Sequence, residues 1–188
     1  MVRIYLDVNI VISFFHGDLN RETRMLREAL RDVFAHDRGV RVYTSNHVLL
    51  CAYHVLRQQG HAPERIAESQ RALVASIKGA GGQIDMVAEA ATQEGRSVVR
   101  ASARAHDHFE EKVVRNTRGA IVRTWVEEDI EDEAMLRAIE RLEAAHCSHI
   151  ALVSDDREAN RQWVKRGGTA FGVAEAARRI QSHALLGA

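Results

Sequence analysis

The sequence predicts an α/β domain with three layers, α/β/α, around a central, mostly parallel sheet. Three observations carry that prediction. Apolar runs of strand length ("RIYLDV", "VRVYT", "QIDMV", "HIALVS" and "TAFGV") recur along the chain. Helical patterns separate them, and this alternation is the mark of parallel βαβ units covered on both faces. Finally, 188 residues with 46% hydrophobic and 28% charged content suit one folded domain, or one domain with an insertion.

Each element has a local reason. "RIYLDV" reads as a buried strand, and "NIVISFFHG" turns it into a short helix. "NRETRMLREALRDVFAHD" places Met25, Leu26, Leu30, Val33 and Phe34 at helical spacing. Ser45 is an N-cap candidate for "NHVLLCAYHVLRQQG", and Gly60 a C-terminal stop. Pro63 sits at the start of the next helix, "ERIAESQRALVASIKGAGG". "DEAMLRAIERLEAAH", "REANRQWVKRG" and "AEAARRIQSHALL" read as helices around the last two strands. The chain reads as one domain over 1–188. Residues 75–125 match no pattern fully and read as a helical insertion centred on "SVVRASARAHDHFEEKVVRN", with "AIVRTWV" a strand or a helix start.

Formal net charge is zero, from 26 basic and 26 acidic residues. A nucleic-acid partner would therefore need a local basic patch. Two cysteines, Cys51 and Cys147, make no disulfide framework and suit a reducing compartment. The opening run is short and split by Asp7, unlike a signal peptide. No run approaches the roughly 18–20 apolar residues of a membrane span. The expectation is a soluble, cytoplasmic protein with no membrane partner.

The acids are the informative residues. Ligands of open parallel sheets bind at the carboxyl ends of the strands. Asp7 ends the first strand, and Asp155 and Asp156 end "HIALVS". A third acidic group, "EEDIEDEAM", opens the helix leading into that strand, so it starts at the same rim. Gathered carboxylates repel, and a hard divalent cation relieves them. Oxygen-only ligands point to Mg²⁺ or Mn²⁺ rather than zinc. Such an ion would activate a water and neutralise a leaving oxygen, the chemistry of phosphodiester hydrolysis. Taken singly, each acid has a plainer use as a helix cap or dipole partner, worth about 0.3–1 kcal/mol.

These residues resemble the PIN domain, a metal-dependent nuclease fold. "YLDVNIVIS" is similar to the family's opening Asp-Thr-Asn turn, with Asp7 and Asn9 matching and Val8 between them. "VSDDREANRQWVKRGG" is similar to its closing motif and puts Asp156 on a metal-binding aspartate. "DIEDEAMLRAI" resembles the form found in the PIN domain of the RNA exosome's catalytic subunit, and puts Asp132 on the third family acid. Asp129 and Glu133 are neighbours that could take the place of Asp132, and Asp155 is a further possible metal ligand beside Asp156. The resemblance covers residues 1–60 and 125–180. It implies Asp7, Asp132 and Asp156 as catalytic metal ligands, Asn9 and Ser45 as their orienting support, and Mg²⁺ or Mn²⁺ as cofactor. It also implies single-stranded RNA as substrate, with a 5′-phosphate and a 3′-hydroxyl left after cleavage.

One family position departs. A glutamate usually follows the serine in the helix after the second strand, and here Cys51 stands there. No acid lies between Ser45 and Glu64. Either one ion is held by three acids, or Asp107, Glu110 or Glu111 reaches in, or the domain binds RNA with weakened cleavage. Toxins of toxin–antitoxin pairs belong to the same family. That role would bring an antitoxin or inhibitor protein as partner, and a homodimer is compatible with any of these readings. A phosphatase of the haloacid-dehalogenase type also opens on an aspartate after a strand, but needs a second acid where Asn9 stands.

Other groupings weigh less. Arg157, Arg161 and Lys165 share a helix face after Asp156 and could track phosphates, or be a solvated face. Arg115, Arg118 and Arg123 form a second basic stretch. Trp125 and Trp163 suit base stacking or the core. His47, Cys51 and His54 share a helix face, which three ligands on one helix rarely turn into a tetrahedral site. "HCSH" at 146–149 reads as a connection, and His106 and His108 as solvated.

Overall fold

A computed structural model of the chain describes residues 1–15, 20–36, 39–86, 109–115, 121–127 and 130–186. The central strand is β1 (Val2–Leu6), whose Ile4, Tyr5 and Leu6 are at most 1% exposed, as a parallel strand covered on both faces requires. It is followed by α1 (Val8–Ser13), α2 (Arg21–His36), β2 (Val40–Ser45), α3 (Asn46–Gln58), α4 (Pro63–Gly79) and β3 (Gln83–Asp85). After β4 (Phe109–Arg115) and β5 (Ile121–Glu127) come α5 (Ile130–His146), β6 (Ala151–Val153), α6 (Arg157–Lys165), β7 (Ala170–Phe171) and α7 (Val173–Leu186).

Five strands form one all-parallel sheet in the order β3-β2-β1-β6-β7. Helices flank it, giving the expected three-layer α/β/α architecture. The strand order is what positions the site. From β1 the chain builds outward through β2 to β3, then returns to place β6 against the other side of β1. The crevice where strand order reverses therefore opens between the carboxyl ends of β1 and β6, the place where such sheets hold ligands. Tyr5 pairs with Tyr43 on one side and Leu152 on the other, which fixes that register.

The helices form for the reasons their sequences give. In α2, Leu26, Ala29, Leu30 and Val33 are buried at helical spacing. The Ser45 side chain accepts the Val48 N–H at 3.2 Å and caps α3, and Pro63 opens α4. Gly60 closes the turn after α3 at φ +86°, a conformation side chains resist. Asp85 ends β3 only 6% exposed, and Arg141 of α5 bonds it at 2.7 and 3.1 Å. Neither cysteine is in a disulfide; Cys51 is buried and Cys147 exposed. Among the described residues, no helix is long and apolar enough to cross a membrane.

The middle of the chain departs from the expected helical insertion. Phe109–Arg115, expected as helix, is a strand, and Ile121–Glu127 takes the strand alternative of "AIVRTWV"; the two pair antiparallel in a separate two-stranded sheet with Arg115 opposite Ile121 and Phe109 opposite Glu127. The charges of "FEEKVVR" imitate a helix surface. The β-branched residues Val113, Val114, Ile121, Val122, Thr124 and Val126 favour strands, and "NTRG" between the runs is turn chemistry. Residues 97–108 of the expected helix core lie outside the described residues.

Candidate carboxylate site

Asp7 follows β1 directly and caps α1, its Oδ1 accepting the Val8 N–H. Its own N–H donates to the Val153 carbonyl at 3.2 Å, extending the β1–β6 pairing and seating Asp7 beside the end of β6. The residue is 5% exposed. At the end of β6, Ser154 is fully buried. Its hydroxyl donates to Asp7 Oδ2 and accepts the Asp156 N–H at 2.8 Å and the Asn9 amide at 3.4 Å. One donor and two lone pairs are all a hydroxyl has, and here each is used. Asn160 closes the corner by donating to the Ser154 carbonyl at 3.0 Å.

Asp156 caps α6. Its Oδ1 accepts the N–H groups of Glu158 at 2.6 Å and Ala159 at 3.3 Å. Asp132, in the first turn of α5, is buried. These residues meet in one pocket of about 190 Å³, lined by Asp7, Asn9, Asp132 and Asp156 with Val8, Ile12 and Met135 as its apolar wall. The fold thus brings Asp7 together with two acids more than a hundred residues further along the chain. Capping accounts for Asp7 and Asp156 singly, on α1 and α6, but gives no reason for Asp132 to share their pocket.

The donors fit a hard cation. All are oxygens, and Asn9 adds a buried Oδ1 that has no hydrogen-bond partner. Among the described residues, no three His, Cys, Asp or Glu side chains are drawn close enough to enclose an ion by themselves. An ion seated on these oxygens would keep water in its shell, as Mg²⁺ does.

The alternatives to these acids fall elsewhere. Asp155 is exposed and does not line the pocket. Glu133 is committed to Arg137 at 3.0 Å and to Arg166. Asp129 and Asp107 lie outside the described residues, and Glu110 and Glu111 belong to β4. Ser45 does not line the pocket either: its hydroxyl caps α3 and accepts the Tyr5 O–H at 2.7 Å. Burial pushes the Tyr5 phenol far above its ordinary range, so it stays a donor. Cys51 is buried, its Sγ 3.5 Å from His47 Nε2 on the same helix, and α3 sends no described residue into the pocket. The support that the sequence reading missed is Ser154. Its signal was visible: a small hydroxyl residue between a buried strand and an acid pair, "VSDD".

The remaining groupings resolve simply. Arg157, Arg161 and Lys165 are exposed, and Arg161 grips Glu158 with two bonds of 2.7 and 2.8 Å. Trp163 is 2% exposed and belongs to the core. His54 sets its ring edge to face with Tyr53, and His146 bonds Gln83 at 2.8 Å beside Tyr43. Arg115 lies on β4 and Arg123 and Trp125 on β5, while His106, His108 and Arg118 lie outside the described residues.

Two outcomes follow from these contacts. Ser154→Ala leaves Asp7 Oδ2 buried without that donor, an expected loss of about 1–3 kcal/mol in urea denaturation. A loss below about 0.5 kcal/mol would show that the hydroxyl is dispensable. For Glu133, burial opposes the charge, but hydrogen bonds from Arg166 and Arg137 outweigh it and hold the carboxyl below the ordinary glutamate value. Its stabilisation is therefore complete above the ordinary glutamate range and fades as pH falls through the folded value. The side chain is 39% exposed, so solvent screens the effect. Urea midpoints of wild type and Glu133→Gln should differ slightly at neutral pH and converge in acid. A gap that persisted in acid would rule out the ion pairs as its source.

Compared with protein-family models, with curated proteins and with solved structures, the chain matches none of them.

Proposed function

We propose that the chain is a divalent-metal-dependent nuclease that hydrolyses phosphodiester bonds of single-stranded RNA. The observation that carries this reading is the shared pocket of Asp7, Asp132, Asp156 and Asn9 at the reversal of strand order. Asp7, Asp132 and Asp156 would hold Mg²⁺ or Mn²⁺, with the Asn9 amide oxygen as a further donor. The bound ion would supply an activated water and neutralise charge on the leaving oxygen. Ser154 holds Asp7 in its orientation by donating to it. RNA as the substrate rests on the resemblance of the opening and closing motifs to PIN domains. Arg157 and Lys165, exposed on the helix that Asp156 caps, suit the phosphates of a strand arriving at the pocket.

The test is direct. Labelled single-stranded RNA is incubated with wild type and Asp156→Asn in Mn²⁺, with and without chelator, and Mn²⁺ binding is followed by calorimetry. Cleavage that needs Mn²⁺ and Asp156 supports the nuclease. No heat at millimolar Mn²⁺ and no cleavage would overturn it. A binding module with weakened hydrolysis is the second reading, favoured by the buried Cys51 and by the lack of any described α3 residue in the pocket. It predicts RNA and Mn²⁺ binding without cleavage.

A further inference from the structure

The helices carrying Asp132 and Asp156 are joined outside the pocket by one guanidinium. Arg166, the C-cap of α6, bonds Glu133 in the first turn of α5 and donates to Glu140 Oε1 at 3.1 Å. Arg137 donates to the other Glu133 oxygen at 3.0 Å. Glu133, Arg137 and Glu140 thus form a stripe along α5 with Arg166 across from it. Glu133 directly follows Asp132, which shares the pocket with Asp156, the N-cap of α6. Of two consecutive residues of α5, Asp132 thus lines the pocket at the start of α6 and Glu133 bonds the residue that ends it.

We propose that Arg166 is a positioning residue: by fastening the first turn of α5 to α6, it sets the distance of Asp132 from Asp156 and so the affinity of the pocket for a divalent cation. This rests on the metal-site reading above. Asp7 and Asp156 are already linked through the Ser154 hydroxyl, whereas Asp132 comes from a separate element. The Arg166 bonds tie the turn that carries Asp132 to the helix that Asp156 caps. Mg²⁺ demands near-octahedral oxygens. Groups that hold ligands in place are accordingly worth about 10–100-fold in metal affinity.

Calorimetric titration of Mn²⁺ into the full chain tests this. Arg166→Met should weaken Mn²⁺ binding by about tenfold. Arg166→Lys keeps the charge but not the forked reach, and should fall between Arg166→Met and wild type. Arg179→Met removes a comparable ion pair, to Glu175 at 2.8 Å on α7, and should leave Mn²⁺ affinity at the wild-type value. That contrast separates positioning from general loss of stability, which urea midpoints record alongside. If Arg166→Met does not fold, Glu140→Gln removes one of the two carboxylate contacts and should weaken binding severalfold. Unchanged affinity in whichever of these variants folds overturns the clamp and leaves the metal reading standing. No heat with wild type overturns the metal reading itself.

Discussion

As the proposed nuclease, the chain should lose on the order of a hundredfold or more of its Mn²⁺-dependent cleavage of single-stranded RNA in Asp156→Asn, while the urea midpoint should stay near wild type. The first half follows from charge. The substitution keeps the shape of the side chain and removes one of three carboxylates lining the pocket. Loss of one preorganised group that stabilises transition-state charge costs about 10²–10³ in rate. The second half follows from the cap. Asp156 accepts the Glu158 and Ala159 N–H groups through a single oxygen, and an asparagine carbonyl can accept the same bonds. Asparagine and aspartate are near-equal caps, so the stability change is limited to the helix-dipole share, about 0.3–1 kcal/mol. Asp156→Ala should lose the same activity and, in addition, about 1 kcal/mol of stability. Unchanged cleavage in Asp156→Asn would falsify the carboxylate site. Unfolding of Asp156→Asn at neutral pH would instead show that the cap geometry had been misjudged.

Much of this site was legible before any coordinates. Asp7 and Asp156 sit immediately after buried strands, and parallel pairing sends both to the same rim whatever the strand order. Asp132 follows because the helix that precedes a strand in such a unit starts at that rim. What was not legible depends on contacts between distant residues. Ser154 became a hub only once β6 was placed against β1, a pairing of residues nearly 150 positions apart. Glu133 and Asp132 look interchangeable in "EDIEDEAM". Arg166, 33 residues later, claims Glu133 and leaves Asp132 to the pocket. Ser45 carried a site role only through the resemblance, and the Tyr5 phenol and the Val48 N–H take it instead. The β4–β5 pair was hidden because Glu110, Glu111 and Lys112 suit a helical surface as well as a strand.

Trp163→Ala should destabilise the fold by about 3–5 kcal/mol. Trp163 lies on α6, 2% exposed, and Gly168 closes against its ring so tightly that an added Cβ would come within 2.1 Å of Cε2. No side chain fits at Gly168 unless the indole moves, so Gly168→Ala should cost a further variant about 1–3 kcal/mol by overpacking. Trp163→Phe should cost less than Trp163→Ala, because the indole Nε1 is buried with no hydrogen-bond partner and its removal forfeits no bond. The result bears on function as well. A tryptophan beside a basic helix face invites the idea that it stacks on a base, which would make its loss weaken RNA binding while leaving stability alone. Burial predicts the reverse: urea midpoints fall steeply, and RNA affinity per folded molecule holds for Trp163→Phe. The same packing keeps Asp156 at one end of α6 and Arg166 at the other in fixed relation to the sheet. Losing the indole should therefore lower Mn²⁺ affinity only as far as it unfolds the chain. A Trp163→Phe variant with full stability and sharply weakened RNA binding would move this residue from the core to the nucleic-acid surface.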